Sequence, residues 1–110
     1  MALTTNTQSN AMGIANHAVG TIVTDAGAAA DTAITLGFVP RVVRFHNLTD
    51  RISDEWFEGM TAYSSLHTVA AGTRTLETTN GISVSSTAST FTVKAATILA
   101  SKTFYWEAIG

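Results

Sequence analysis

Short segments in which apolar and polar residues alternate dominate the chain from residue 17 onward. In AITLGFV, residues 33–39, Ile34, Leu36 and Phe38 alternate with threonine and glycine, which is typical of a strand with one apolar face. Pro40, the single proline of the sequence, interrupts this pattern, and a second alternating segment follows it. The spacing therefore predicts two strands that meet near Pro40.

The abundance of threonine supports an extended backbone, because its branched Cβ is better accommodated in a strand than in a helix. About eight short strands with turn signals between them predict an all-β fold, a single antiparallel β-sandwich over residues 17–110, for which a jelly roll is one arrangement. The alanine-rich stretches 26–31 and 94–101 are compatible with helix, and both are shorter than an ordinary helix.

The dipeptide Asn80-Gly81 separates the strand-like segments GTRTLETT and ISVSS. Asn-Gly readily adopts the positive φ angles of a type I′ turn, so we expect a two-residue hairpin at this point. The serine-rich segment 83–90 that follows is interpreted as a polar strand edge and a turn.

Residues 1–16 are polar, small and without periodicity, and they predict an irregular N-terminal arm. Two interpretations are open. The arm is either a frayed terminus or a segment that becomes ordered against a neighbouring subunit.

Charged residues are scarce, at 13% of the chain, whereas a typical soluble domain carries about 25%. A surface with so few charged residues gives an isolated monomer low solubility, so we expect part of this surface to be covered by a partner. The net charge is -2 and the six Lys and Arg residues are scattered. Because they form no basic stripe for a phosphate backbone, no direct nucleic-acid partner is expected.

Several features limit the cofactors and the compartment. The chain has no cysteine, which excludes disulfides and cysteine-based zinc sites. No apolar run reaches the ~20 residues of a membrane-spanning helix, and the N-terminus lacks the pattern of a secretory signal. We expect a protein that is made in the cytoplasm, with neither a membrane partner nor a cofactor.

The segment RISDEWFEGM, residues 51–60, places three carboxylates around two aromatic rings. On a strand, Asp54 and Glu58 would lie about 13 Å apart at ~3.3 Å per residue, which is too far for a glycosidase pair. No serine elbow or phosphate-binding loop occurs, so no catalytic residue is predicted. A small hydrolase that combines Asp54, Glu55 or Glu58 with a histidine remains as an alternative.

The three histidines, His17, His46 and His67, are far apart and match no motif with metal-ligand spacing. We interpret them as ordinary surface or hydrogen-bonded side chains, and no metal ligand is predicted.

Aromatic residues occur on both faces of two predicted strands, at 56–57 and at 104–106. One face of such a strand enters the core, and the other must be buried elsewhere, for which a subunit interface is the natural place. The candidate interface residues are Arg41, Arg44, Arg51, Asp54, Trp56, Phe57, Glu58, Tyr105 and Trp106.

Three segments carry a family resemblance: GFVPRVVRFHNLTDRISDEWFEGM (37–60), AAGTRTL (70–76) and ILASKTFYWEAIG (98–110). In their pattern of strands and turns, these segments resemble small virion structural proteins of tailed bacteriophages, of the capsid decoration or cement type. The resemblance implies a β-rich protein, commonly a homotrimer, that binds the major capsid protein on the outside of the shell and clamps the shell against internal DNA pressure.

Two further functions are weighed beside this one. The first is a carbohydrate-binding head or tail fibre module, in which Trp56, Tyr63 or Trp106 stacks on sugar rings. The second is a structural component of the phage neck or tail with a similar pattern of strands and turns. On the leading hypothesis the protein is located on the capsid exterior of the virion.

Overall fold

The computed structural model describes the backbone of residues 3–10 and all atoms of residues 16–110. The described part of the chain forms nine β-strands and one helical turn. In chain order they are β1 (Leu3–Asn10), β2 (His17–Thr24), β3 (Thr32–Thr35), β4 (Val42–Asn47), β5 (Ile52–Phe57), β6 (Ser64–Thr68), β7 (Arg74–Ser85), β8 (Thr90–Val93), α1 (Ala95–Ile98) and β9 (Thr103–Ile109).

The strands form one continuous antiparallel sheet in the order β1-β2-β9-β4-β5-β6-β7-β8-β3. The prediction of an all-β antiparallel fold is confirmed. Strands β4 to β8 run as a meander, and β9 returns beside β4 to join the meander to β2. The sheet curls into a half-barrel, which gives it a concave inner face and a convex outer face.

The core lies on the inner face and is built by the predicted alternation. Phe45 of β4 stacks on Phe104 of β9 with ring centroids 4.9 Å apart. Phe91 of β8 meets Trp106 of β9 edge to face at 5.2 Å, although β8 and β9 are not neighbours in the sheet. The contact therefore crosses the core, and the two halves of the sheet face each other as the layers of a sandwich do.

The N-terminal arm predicted for residues 1–16 falls partly outside the described residues, which omit 1–2 and 11–15. Its described part includes β1, which pairs with β2 along the edge of the sheet. The predicted pair of strands around Pro40 corresponds to β3 and β4, and Ile34 and Leu36 are buried as their alternation requires.

The hairpin predicted at Asn80-Gly81 is wrong, because both residues lie inside the long strand β7. The first half of β7 pairs with β6 and the second half pairs with β8, and the register shifts between Ser64 and Ser65 where the partner changes. The Asn-Gly pair occupies this irregularity. A Cβ on Gly81 would lie 2.6 Å from the backbone carbon of Ser64, so the glycine is required by close approach of two strands.

In the described part of the chain, helix is limited to α1, a single turn within the predicted stretch 94–101. Across residues 3–10 and 16–110, no helix has the length and hydropathy needed to cross a membrane.

Candidate functional site

The outer face, defined here as the outward side chains of β2, β9, β4 and β5, carries most of the exposed apolar surface that these strands contribute. Successive residues of a strand point to opposite sides, so Trp56 enters the core while Phe57 points outward. The large apolar side chains exposed on this face, with their exposed fractions, are Val19 (42%), Phe57 (37%), Tyr105 (52%) and Ile109 (37%).

A row of ion pairs crosses the same face from β2 to β5. His17 Nε2 lies 2.8 Å from Glu107 Oε2, Arg44 Nη1 lies 3.0 Å from Glu107 Oε1, and Arg44 Nε lies 3.1 Å from Glu55 Oε2. The hydrogen bond from His17, followed by that from Arg44, lowers the pKa of Glu107. Glu107 and then Glu55 raise the pKa of Arg44. The row joins four neighbouring strands at the centre of the outer face.

At one end of the outer face lies an open groove of about 360 Å³. Its apolar lining comes from Val42, Phe57 and Ile109, which are in register across β4, β5 and β9. Its charged rim is the pair Arg41–Glu58, with Nε and Oε2 3.4 Å apart. The groove is large enough to accept side chains of another protein.

Five of the nine predicted interface residues lie on this surface. Arg41, Phe57 and Glu58 line the groove, and Arg44 and Tyr105 lie on the adjoining outer face. Strand alternation places Arg44, Phe57 and Tyr105 on one side of the sheet. Arg41 and Glu58 lie just outside β4 and β5 and line the groove from there, so alternation does not account for their position.

The other four predicted residues lie elsewhere. Asp54, Trp56 and Trp106 are 2%, 7% and 2% exposed on the inner face, so they belong to the core and are removed from the interface set. The alternation of side chains along a strand explains the difference, because the residue next to an outward side chain must point inward. Arg51 is exposed in the turn between β4 and β5, with φ 58°, at the opposite end from the groove.

Asp54 is the centre of a buried polar cluster that links β5 to β6. Its Oδ1 accepts hydrogen bonds from Ser65 Oγ at 2.8 Å and from His67 Nδ1 at 2.9 Å. Both Asp54 and His67 line a cavity of about 30 Å³, which has room for about two water molecules. Ligand pockets are about ten times larger, so this cavity supports a structural role for the cluster.

The remaining groups of the hydrolase alternative are engaged in ion pairs. Glu55 pairs with Arg44, and Glu58 pairs with Arg41. The histidines make ordinary contacts, His17 with Glu107 and His46 Nδ1 with Ser53 Oγ at 2.9 Å.

Two of the three rings named for carbohydrate stacking, those of Trp56 and Trp106, are buried in the core. The indole nitrogens of Trp56 and Trp106 are buried and have no hydrogen-bond partner within the described part of the chain. The ring of Tyr63 is half-buried, and Lys94 Nζ lies 4.3 Å from its centroid. Burial therefore removes Trp56 and Trp106 from the carbohydrate alternative, and Tyr63 is its one half-exposed ring.

Sequence reasoning missed Val19, Val42, Glu107 and Ile109 as members of the surface. Alternation could have found them, because HAVGTIVT, VVRFHN and TFYWEAI give each of these strands an inner and an outer set. The signal for their grouping was missing, since His17 and Glu107 are 90 residues apart in sequence.

Among residues 3–10 and 16–110, no group of three or more histidine and acidic side chains is arranged to hold a metal ion. Comparison of the chain with protein-family models, with curated proteins and with solved structures gives no match.

Proposed function

We propose that this chain is a non-enzymatic structural protein of a virion. It binds the major capsid protein as a homo-oligomer, with three copies implied by the resemblance, and it stabilises the capsid of a tailed phage. The observation that carries the proposal is the outer face, where exposed aromatic and aliphatic side chains surround a row of ion pairs.

The composition of the outer face suits a protein partner. Aromatic residues and arginine are enriched in protein interfaces, and the outer face presents the exposed Tyr105 and Phe57 and the half-buried Arg44. Val19 and Tyr105 on β2 and β9 would contact the major capsid protein, while the charges beside them fix the orientation of the partner. Burial of this surface would also compensate for the low charge content of the chain.

The proposal is tested by comparing phage particles that are assembled with and without the chain. We expect the particles without the chain to lack a density on the outside of the shell and to release DNA at a lower temperature. Added purified chain should restore both properties. Particles that are equally stable and bind none of the added chain would contradict the proposal, as would a density at the neck or tail.

A matched pair of variants links this function to the outer side of β9. Tyr105→Ser removes an exposed ring from this strand, and Leu48→Ser removes a comparably exposed side chain from the turn between β4 and β5. We expect Tyr105→Ser to lose shell binding and Leu48→Ser to keep it. Equal binding by the two variants would exclude the outer side of β9 as the contact.

A further inference from the structure

The outward charges of β4 and β5 are separated by sign. Arg41 precedes β4 and Arg44 lies on it, whereas Glu55 lies on β5 and Glu58 follows it. Arg44 is directly opposite Glu55 in the strand register, and the Glu58 N–H donates to the Arg41 carbonyl. One strand of the hairpin is therefore basic on its outer side and its neighbour is acidic.

This arrangement is complementary to itself under a two-fold rotation. If a two-fold axis runs along the strands between β4 and β5, the β4 of one copy faces the β5 of the other. Each outward side chain of β4 then meets its own cross-strand partner in the second copy, so Arg44 meets Glu55 and Val42 meets Phe57. Along the axis, an apolar pair is followed by a pair of opposite charges and then by the polar pair of His46 and Ser53.

The shape of the sheet favours the same contact. The outer face is convex, so two copies can touch through a few strands near its middle, and β4 and β5 are the fourth and fifth of nine described strands. The rim side chains Arg41 and Glu58 are 67% and 62% exposed, so they are free to turn toward a partner.

We propose that the outer sides of β4 and β5, together with the groove, pack against the same surface of a second copy of this chain about a two-fold axis. The inference rests on the proposed function and specifies its self-association. A closed ring of three joins two unlike surfaces, so the two-fold contact differs from the trimer that the resemblance implies.

Charge reversals at the rim test this contact. Arg41→Glu and Glu58→Arg each place like charges against each other at two positions, one on each side of the two-fold axis at the groove end, and each is expected to weaken self-association about tenfold or more. In an equimolar mixture of the two variants, the Arg41→Glu chain is acidic at positions 41 and 58, and the Glu58→Arg chain is basic at both positions. A dimer of one chain of each kind therefore has opposite charges across the two-fold axis, whereas a dimer of two identical variants has like charges there.

Native mass spectrometry distinguishes the mixed pair from the like pairs. We expect wild-type dimers, weakened dimers of each variant alone, and a predominant heterodimer in the mixture. The control mixture of Arg74→Glu with Glu58→Arg carries the same net charges, but Arg74 lies on β7 outside the contact, so no preferred heterodimer is expected. Absence of the heterodimer, or its equal formation in the control, would overturn the two-fold contact.

The outcomes separate this inference from the proposed function. Trimers that both reversals leave intact would overturn the two-fold contact and leave a capsid-binding oligomer in place. Charge-dependent pairing in a chain that fails to bind its shell would support the contact and contradict the proposed function.

Discussion

The inner and outer faces of the strands β4, β5 and β9 contain similar residue types in opposite circumstances. Trp56 and Trp106 are buried, whereas their immediate neighbours Phe57 and Tyr105 are exposed. Trp106 contacts the ring of Phe91 across the core, whereas Tyr105 and Phe57 are exposed on the side that carries the ion pairs. Aromatic content alone therefore says little about the role of a residue in this protein, because the side of the sheet decides it.

Carboxylates show the same contrast. Asp54 on the inner face accepts hydrogen bonds from two side chains inside the molecule. Glu55, the next residue, pairs with Arg44 where water also reaches. A buried carboxylate that loses its partners is costly, while an exposed ion pair contributes little to folding, so the two faces should respond differently to substitution.

The largest expected effect comes from Trp106 and its neighbour Tyr105. Trp106→Ala should lower the free energy of unfolding by about 3–5 kcal/mol, because it leaves a cavity in the core. Tyr105→Ala should lower it by about 1 kcal/mol or less, because half of that side chain is already exposed. Urea unfolding followed by circular dichroism measures both values. If Trp106→Ala fails to fold, Trp106→Phe should still lose more stability than Tyr105→Ala.

Similar losses at the two positions would contradict the assignment of Trp106 to the inner face and Tyr105 to the outer face.

An intermediate effect is expected at Asp54 and Glu55. Asp54→Ala leaves Ser65 Oγ and His67 Nδ1 without their acceptor, and it should cost about 1–3 kcal/mol of unfolding free energy. Glu55→Ala leaves Arg44 paired with Glu107, and it should cost less than about 1 kcal/mol. Thermal unfolding of the two variants under identical conditions checks the order. A larger loss at Glu55 would show that the outer face, rather than the buried cluster, stabilises β5.

The smallest expected effect is the pH dependence that arises from Glu107. Its folded-state pKa lies below the ordinary value of 4.5, because His17 and Arg44 favour the charged carboxylate. The resulting stability is complete above the ordinary pKa and is lost as the pH falls through the folded-state pKa. The contribution should be below about 1 kcal/mol, since a third of the side chain is exposed.

Comparison of the wild type with Glu107→Gln isolates this contribution. The pKa values of Asp31, Asp50 and Glu77 are lowered as well, and their effects cancel in the difference between the two proteins. We expect the difference in unfolding free energy to be present at pH 7 and to shrink below the ordinary pKa of Glu107. A difference that is constant across this range would exclude a linked protonation of Glu107.

Much of the fold follows from local pattern. Alternation in residues 33–39 and 104–106 correctly predicts that Ile34 and Leu36 point inward and that Trp106 and Tyr105 point to opposite sides. The period of a strand is two residues, so a short run of sequence is enough to divide its side chains into two sets. The predicted interface failed where it combined both sets, as it did for Trp56 and Phe57.

The error at Asn80-Gly81 has a different cause. The dipeptide favours a tight turn, but β7 continues through it because β6 pairs with its first half and β8 with its second half. Local turn preference was overridden by pairing with two different strands, and the glycine is used for close packing against Ser64.

The sequence by itself determined that this chain would be all-β and which side chains within each strand share a face, because both properties depend on residues a few positions apart. The tertiary structure alone decided which face would be buried and which distant residues would become neighbours. His17, Arg44 and Glu107 form one row because β9 lies between β2 and β4. Such proximity depends on the order of strands in the sheet, which no short segment encodes.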